Sequence, residues 1–164
     1  AMAAQLDRAA AASACGIVLF RAGAAPWHDD LDPLRRVASR LAARAAQVFE
    51  SLDLWDICAL IAGARAVCSS SLHGRIVATA FGVPHVGLRH PVPAARTGKQ
   101  EAYAATWEAG VDARAERGGI DALAAGVQAA LGVDRRAVRA LAERLAARSR
   151  ASFRALGAAL SAPV

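Results

Sequence analysis

Short all-apolar runs alternate along the chain with segments in which large apolar residues recur every three or four positions, and this alternation predicts strands and helices in turn. Residues 2 to 14 are strong helix formers ended before Gly16, and Gly16 to Phe20 reads as a buried strand. Asp32 and Pro33 suit a helix start, with Leu34, Val37, Leu41 and Ala45 at helical spacing toward residue 46. Gln47 to Phe49 forms a brief strand. Asp53 caps a compact helix carrying Leu54, Ile57, Leu60 and Ile61, which stops at Gly63. The run Ala64 to Cys68 is a second buried strand that ends in Ser69, Ser70 and Ser71. Ile76, Val77, Ala80 and Phe81 mark the apolar side of the next helix, Gly82 its left-handed stop, and Pro84 to Leu88 another strand. A loop with Pro91, Pro93 and Gly98 leads to Tyr103 and Trp107 on a helix turn, and a last short strand begins at Val111. Ile120 to Leu131 is a helix stopped by Gly132, and Asp134 caps a final helix running to about Leu160. The predicted fold is therefore α/β: a three-layer sandwich around a parallel Rossmann-like sheet of four to five strands, with a long C-terminal helix.

The chemistry concentrates where the serine-ended strand meets the next helix. In an open parallel sheet, ligands sit beyond the carboxyl ends of the strands, and the free N–H groups of a helix start favour an anion. His73 lies on that first turn and can donate to a phosphate or carboxylate or act as an acid or base. The Ser69, Ser70 and Ser71 hydroxyls can bind an anion or cap the helix, and Gly74 admits either a ligand or a neighbouring element. Asp29 and Asp30 follow the first strand, where they could bind a sugar hydroxyl or simply complement a helix start. Lys99, the chain's one lysine, follows the Pro84 to Leu88 strand and can reach a phosphate, as can Arg89, His90 and Arg96 in the same loop. Nucleophile elbow, dinucleotide fingerprint and P-loop patterns are missing from the sequence.

Composition narrows the classes. The 164 residues suit a single domain over residues 2 to 164, and alanine supplies about half of the 55% apolar content, so the core should be modest. The charge of +6 reflects nineteen arginines and one lysine against fourteen acids, a one-sided usage that compositional bias explains, and the sparse aromatics are not interleaved with basic residues as nucleic-acid binding would require. Cys15, Cys58 and Cys68 are embedded in apolar sequence and do not cluster with the four histidines at zinc spacing, which reads as buried thiols in a reducing, cytoplasmic compartment without a structural metal. No apolar run is long enough to span a membrane. The final helix is amphipathic, with Val138, Leu141, Leu145, Ser152 or Phe153, Leu156 and Leu160 on one side and arginines on the other; an ordinary packed helix is expected rather than a membrane-surface one.

From Leu60 to Leu88 the order of helix, strand, Ser-Leu-His-Gly, helix, Gly-Val-Pro and apolar strand resembles the second domain of the polysaccharide pyruvyl transferase family. The Asp29-Asp30 loop, the helix at Asp53, Lys99 and the late helical end follow in a similar order. This resemblance implies a transferase moving a pyruvyl group from phosphoenolpyruvate to a sugar, as a ketal on an exopolysaccharide or cell-wall glycan. It implies that His73 contacts phosphoenolpyruvate as the acid at its methylene carbon, that Leu72 presents backbone to it, and that no cofactor is needed. Ser71 stands where some members carry arginine. It further implies that the chain is the C-terminal half of a two-domain, GT-B-like protein. Two other readings share the pattern: the nucleotide-sugar-binding half of a GT-B glycosyltransferase, and a non-catalytic module that completes its sheet with a second chain or as a homodimer.

Overall fold

A computed structural model describes residues 1–23, 25, 30–42, 46–88, 98–108 and 115–161. Its elements run α1 (Met2–Ser13), β1 (Ile17–Phe20), α2 (Asp32–Ala38), β2 (Ala46–Phe49), α3 (Leu54–Gly63), β3 (Val67–Ser69), α4 (Leu72–Ala80), β4 (His85–Leu88), α5 (Lys99–Trp107) and β5 (Ala115–Gly118). A short 3₁₀ turn (Ile120–Ala122), α6 (Leu123–Leu131) and α7 (Arg135–Leu160) complete the chain. The expected order of elements is present, and every strand pairing is parallel.

The sheet differs from the expected single one of four to five strands. Instead β1 pairs with β2, and β3, β4 and β5 form a second sheet in that order. Between the two groups lies a cavity of about 670 Å³ bounded by α1, β1, α3, β3 and α6. Its walls include Ala9, Ala10, Ala59, Gly63, Ala64 and Ala66, so the alanine-rich helix faces fill less of the space between the sheets than leucine or isoleucine would.

Around the second sheet the three layers are clear. Val67 packs with Ile57 and Ile61 of α3, Ala78 of α4 and Val83, while the other face of the sheet sets Val86 and Cys68 against Val127 and Ala130 of α6. Strand alternation explains the division, because Val67 and Ser69 point to the α3 and α4 side and Cys68 to the α6 side. Burial pushes the Cys68 thiol up to about 12, which keeps it protonated. All three cysteines are free. Gln5 of α1 is buried, donating to the Asp121 carbonyl at 2.6 Å and accepting from the Ala124 N–H at 3.3 Å, which supplies α6 with the start that its own sequence does not cap.

Three helices depart from expectation. α2 ends at Ala38 instead of reaching residue 46. Its start is also shifted by one, with Asp32 already inside the helix and its N–H donating to Asp30 Oδ1 at 3.1 Å. The buried face of α4 is Gly74, Arg75, Ala78 and Thr79, whereas Ile76, Ala80 and Phe81 are exposed. Small residues and a paired arginine go inward because the neighbouring α5 supplies a carboxylate for them. In α7 the seam is covered only at its beginning, through Val138, Leu141, Ala142 and the half-buried Leu145. Gly82 sits at φ +64°, the expected left-handed stop, and a Cβ there would meet Arg139 of α7 at 2.8 Å. Val111, the expected start of the last strand, lies outside the described residues, and β5 begins at Ala115.

Candidate active site at the end of the second sheet

The short β3 delivers Ser69 to the carboxyl edge of the sheet, paired in register with Gly87. The Ser69 hydroxyl accepts from the Ser71 N–H at 3.0 Å, and the Ser71 hydroxyl accepts from the Gly74 N–H at 3.4 Å as the N-cap of α4. Two of the three serines thus shape the turn, and Ser70 is left exposed on it. Gly74 is buried because Ser69 itself approaches closely: a Cβ at Gly74 would lie 2.9 Å from the Ser69 hydroxyl. The close neighbour here is the preceding strand end. Leu72 is half-buried on the first turn, and the next side chain, His73, is exposed. An exposed imidazole beside the free N–H groups of a helix start can meet an incoming anion and exchange a proton with it.

The first turn of α5 comes to the same edge. Gln100 donates its amide N–H to the Ser69 carbonyl at 3.1 Å and accepts from Arg75 Nη1 at 3.4 Å. Lys99, exposed, is the first residue of that helix, so its cation and a second helix start stand at the end of β3. Gly87 makes this possible, because a Cβ there would run into Gln100 Oε1. Gly87→Ala is expected to push the Gln100 amide aside and lower stability by about 1 kcal/mol, seen as a reduced urea midpoint. Substituting Gln100 in that background should add little further loss if the two act through one contact.

Beneath the turn lies a buried polar cluster that the apolar pattern of the chain does not predict. Arg75 and Glu108 are only 5% and 4% exposed and are joined by two hydrogen bonds, Nε to Oε1 at 3.0 Å and Nη2 to Oε2. His85 of β4 places Nε2 3.1 Å from Glu108 Oε1 and Nδ1 3.0 Å from the Val83 carbonyl. The Thr79 hydroxyl lies 3.0 Å from the same carboxylate oxygen and 2.9 Å from the Arg75 carbonyl. Burial raises the Glu108 pKa, but the hydrogen bonds from His85 and Arg75 outweigh it and hold the carboxyl at about 2. Burial also raises the Tyr103 pKa. With its guanidinium hydrogen-bonded to Glu108 and Gln100, Arg75 is committed to this cluster. One signal of this cluster was present in the sequence: Gly74, Ala78 and Thr79 form a stripe of small residues beside Arg75, which leaves room for a long side chain to turn inward.

Asp30 is exposed and makes a local bond to the start of α2. Asp29, Arg89, His90 and Arg96 lie outside the described residues. Among the described residues, no group of three or more His, Cys, Asp or Glu could hold a metal ion, and no helix is long and apolar enough to cross a membrane.

A family model described as polysaccharide pyruvyl transferase matches residues 6–91, a span that runs from α1 through the serine turn to the end of β4 and stops before Lys99. No curated protein and no solved structure matches the chain.

Proposed function

Because the chain belongs to the polysaccharide pyruvyl transferase family, we propose that the edge formed by Ser69 to Gly74 and Lys99 is the donor site, and that the donor is phosphoenolpyruvate. The observation that carries this reading is the Gln100 bridge to Ser69, which sets the start of α5, with Lys99, beside the turn that bears His73. Two helix starts and one lysine suit a ligand with two anionic groups, a phosphate and a carboxylate. His73 serves as the acid. It gives a proton to the methylene carbon of the enol, and the carbon bearing the carboxylate becomes electron-poor. One sugar hydroxyl adds to that carbon, a second displaces the phosphate, and the two hydroxyl protons go one to restore His73 and one to phosphate. The product is a pyruvyl ketal on a glycan. In this reading the chain acts as the C-terminal half of a two-domain, GT-B-like protein in exopolysaccharide or cell-wall glycan synthesis in the cytoplasm.

Titration calorimetry tests the donor. Phosphoenolpyruvate is expected to bind, with at least about a tenfold loss of affinity in Lys99→Ala, equivalent to ~1.4 kcal/mol. Binding of a nucleotide-sugar in its place would move the assignment to a glycosyltransferase-like donor half.

A further inference from the structure

Among the described residues, nothing covers the second half of α7. Residues 146 to 161 are all exposed, although the helix continues unbroken to Leu160. At about 1.5 Å per residue this half extends for roughly 24 Å. Phe153, Leu156 and Leu160 are 71%, 54% and 79% exposed, so an apolar stripe buried at Val138 and Leu141 continues into open solvent. At about 100° per residue, Leu145, Phe153, Leu156 and Leu160 fall within roughly 80° of arc. Arg150 and Arg154 flank that arc on one side, and Arg144 and Arg148 lie on the far side. Arg148 stacks over Trp107, its guanidinium 5.0 Å from the ring centre, and marks where the helix leaves the body. Glu143 is the last acid in the chain.

We propose that this half of α7 lies flat on an anionic lipid surface, with Phe153, Leu156 and Leu160 inserted among the acyl chains and the arginines against the headgroups. Charge argues for the occupant. From Arg144 onward the helix carries four arginines and no acid, which attracts an anionic surface and repels a second copy of itself. The stripe itself argues the same way. Ser149 and Ser152 interrupt it, leaving too few large side chains to interlock with a partner helix, whereas a fluid surface needs no matching knobs. A polar helix with a strong apolar side and arginines around it is the pattern of helices that lie in a membrane interface. The proposal is independent of the donor assigned above.

The test is cosedimentation of the full chain with phosphatidylcholine vesicles, with and without phosphatidylglycerol. Binding is expected to be at least about tenfold stronger to the anionic vesicles and to weaken as salt is raised. The decisive variant is Phe153→Ser/Leu156→Ser/Leu160→Ser, which keeps every charge and touches no packed side chain. It should lose at least about tenfold in vesicle affinity while the circular dichroism of the domain holds. Unchanged binding of that variant would reduce the effect to general charge attraction and overturn the proposal. So would failure of the parent chain to bind anionic vesicles at low salt, or concentration-dependent dimerisation abolished by the same three substitutions.

Discussion

Glu108→Ala is expected to destabilise the domain by about 3–5 kcal/mol, because it strands a buried guanidinium without its counter-charge. Arg75 is 5% exposed and turns both Nε and Nη2 onto this carboxylate, so water cannot take over the lost bonds without opening the packing between α4 and α5. A domain of this size has only about 5–15 kcal/mol in hand, which makes the loss a large share of the whole. Urea unfolding near neutral pH measures it. Replacing the pair together, Arg75→Met with Glu108→Leu, should recover much of the loss, since the cost comes from the unpaired charge more than from the absence of the bond. Acid titration gives a second reading of the same group. The Glu108 carboxyl is held at about 2, below its ordinary 4.5, so its contribution is fully present above that ordinary value and disappears as the pH falls toward 2. Glu108→Gln should flatten that part of the stability profile. If Glu108→Ala and the parent chain unfold at the same urea concentration, the Arg75–Glu108 pair does not hold α4 against α5.

The reason this cluster was not legible in the sequence is instructive. Arg75 is one of nineteen arginines, and Glu108 lies at the end of a helix with little apolar periodicity, so neither stood out from solvated charges. Ile76 and Phe81 drew attention to the wrong side of α4, since hydrophobicity alone cannot anticipate that a carboxylate 33 residues away will satisfy an inward arginine. Features whose cause is local were readable. Asp53 and Asp134 cap their helices, Gly82 takes the left-handed conformation, and Ser71 caps α4. The break between the two sheets depends on how well alanine-rich faces fill space, and the exposure of the last turns of α7 depends on where other elements end. Both are properties of the assembled chain. Apolar spacing identified the stripe from Val138 to Leu160 but not where its cover stops.

His73→Ala is expected to abolish most pyruvyl transfer while leaving the fold intact, a contrast that follows from where the side chain sits. The imidazole is exposed, and the cap of α4 comes from Ser71, so its removal should change stability by no more than about 0.5 kcal/mol. If it delivers the proton to the methylene carbon, turnover should fall by about 10²–10⁴-fold. Phosphoenolpyruvate affinity should fall much less, because the helix starts and Lys99 remain to hold its two anionic groups. Lys99→Ala should show the opposite balance, a raised KM with a smaller change in kcat, as expected for a group that binds ground state and transition state alike. The assay is ketal formation from phosphoenolpyruvate on a glycan acceptor, with kcat and KM determined separately for each variant. A His73→Ala protein that turns over at the parental rate would remove the imidazole from the chemistry, whatever its effect on binding. Loss of binding alone would instead make His73 an anion contact and leave the protonating acid to be found elsewhere on the same edge.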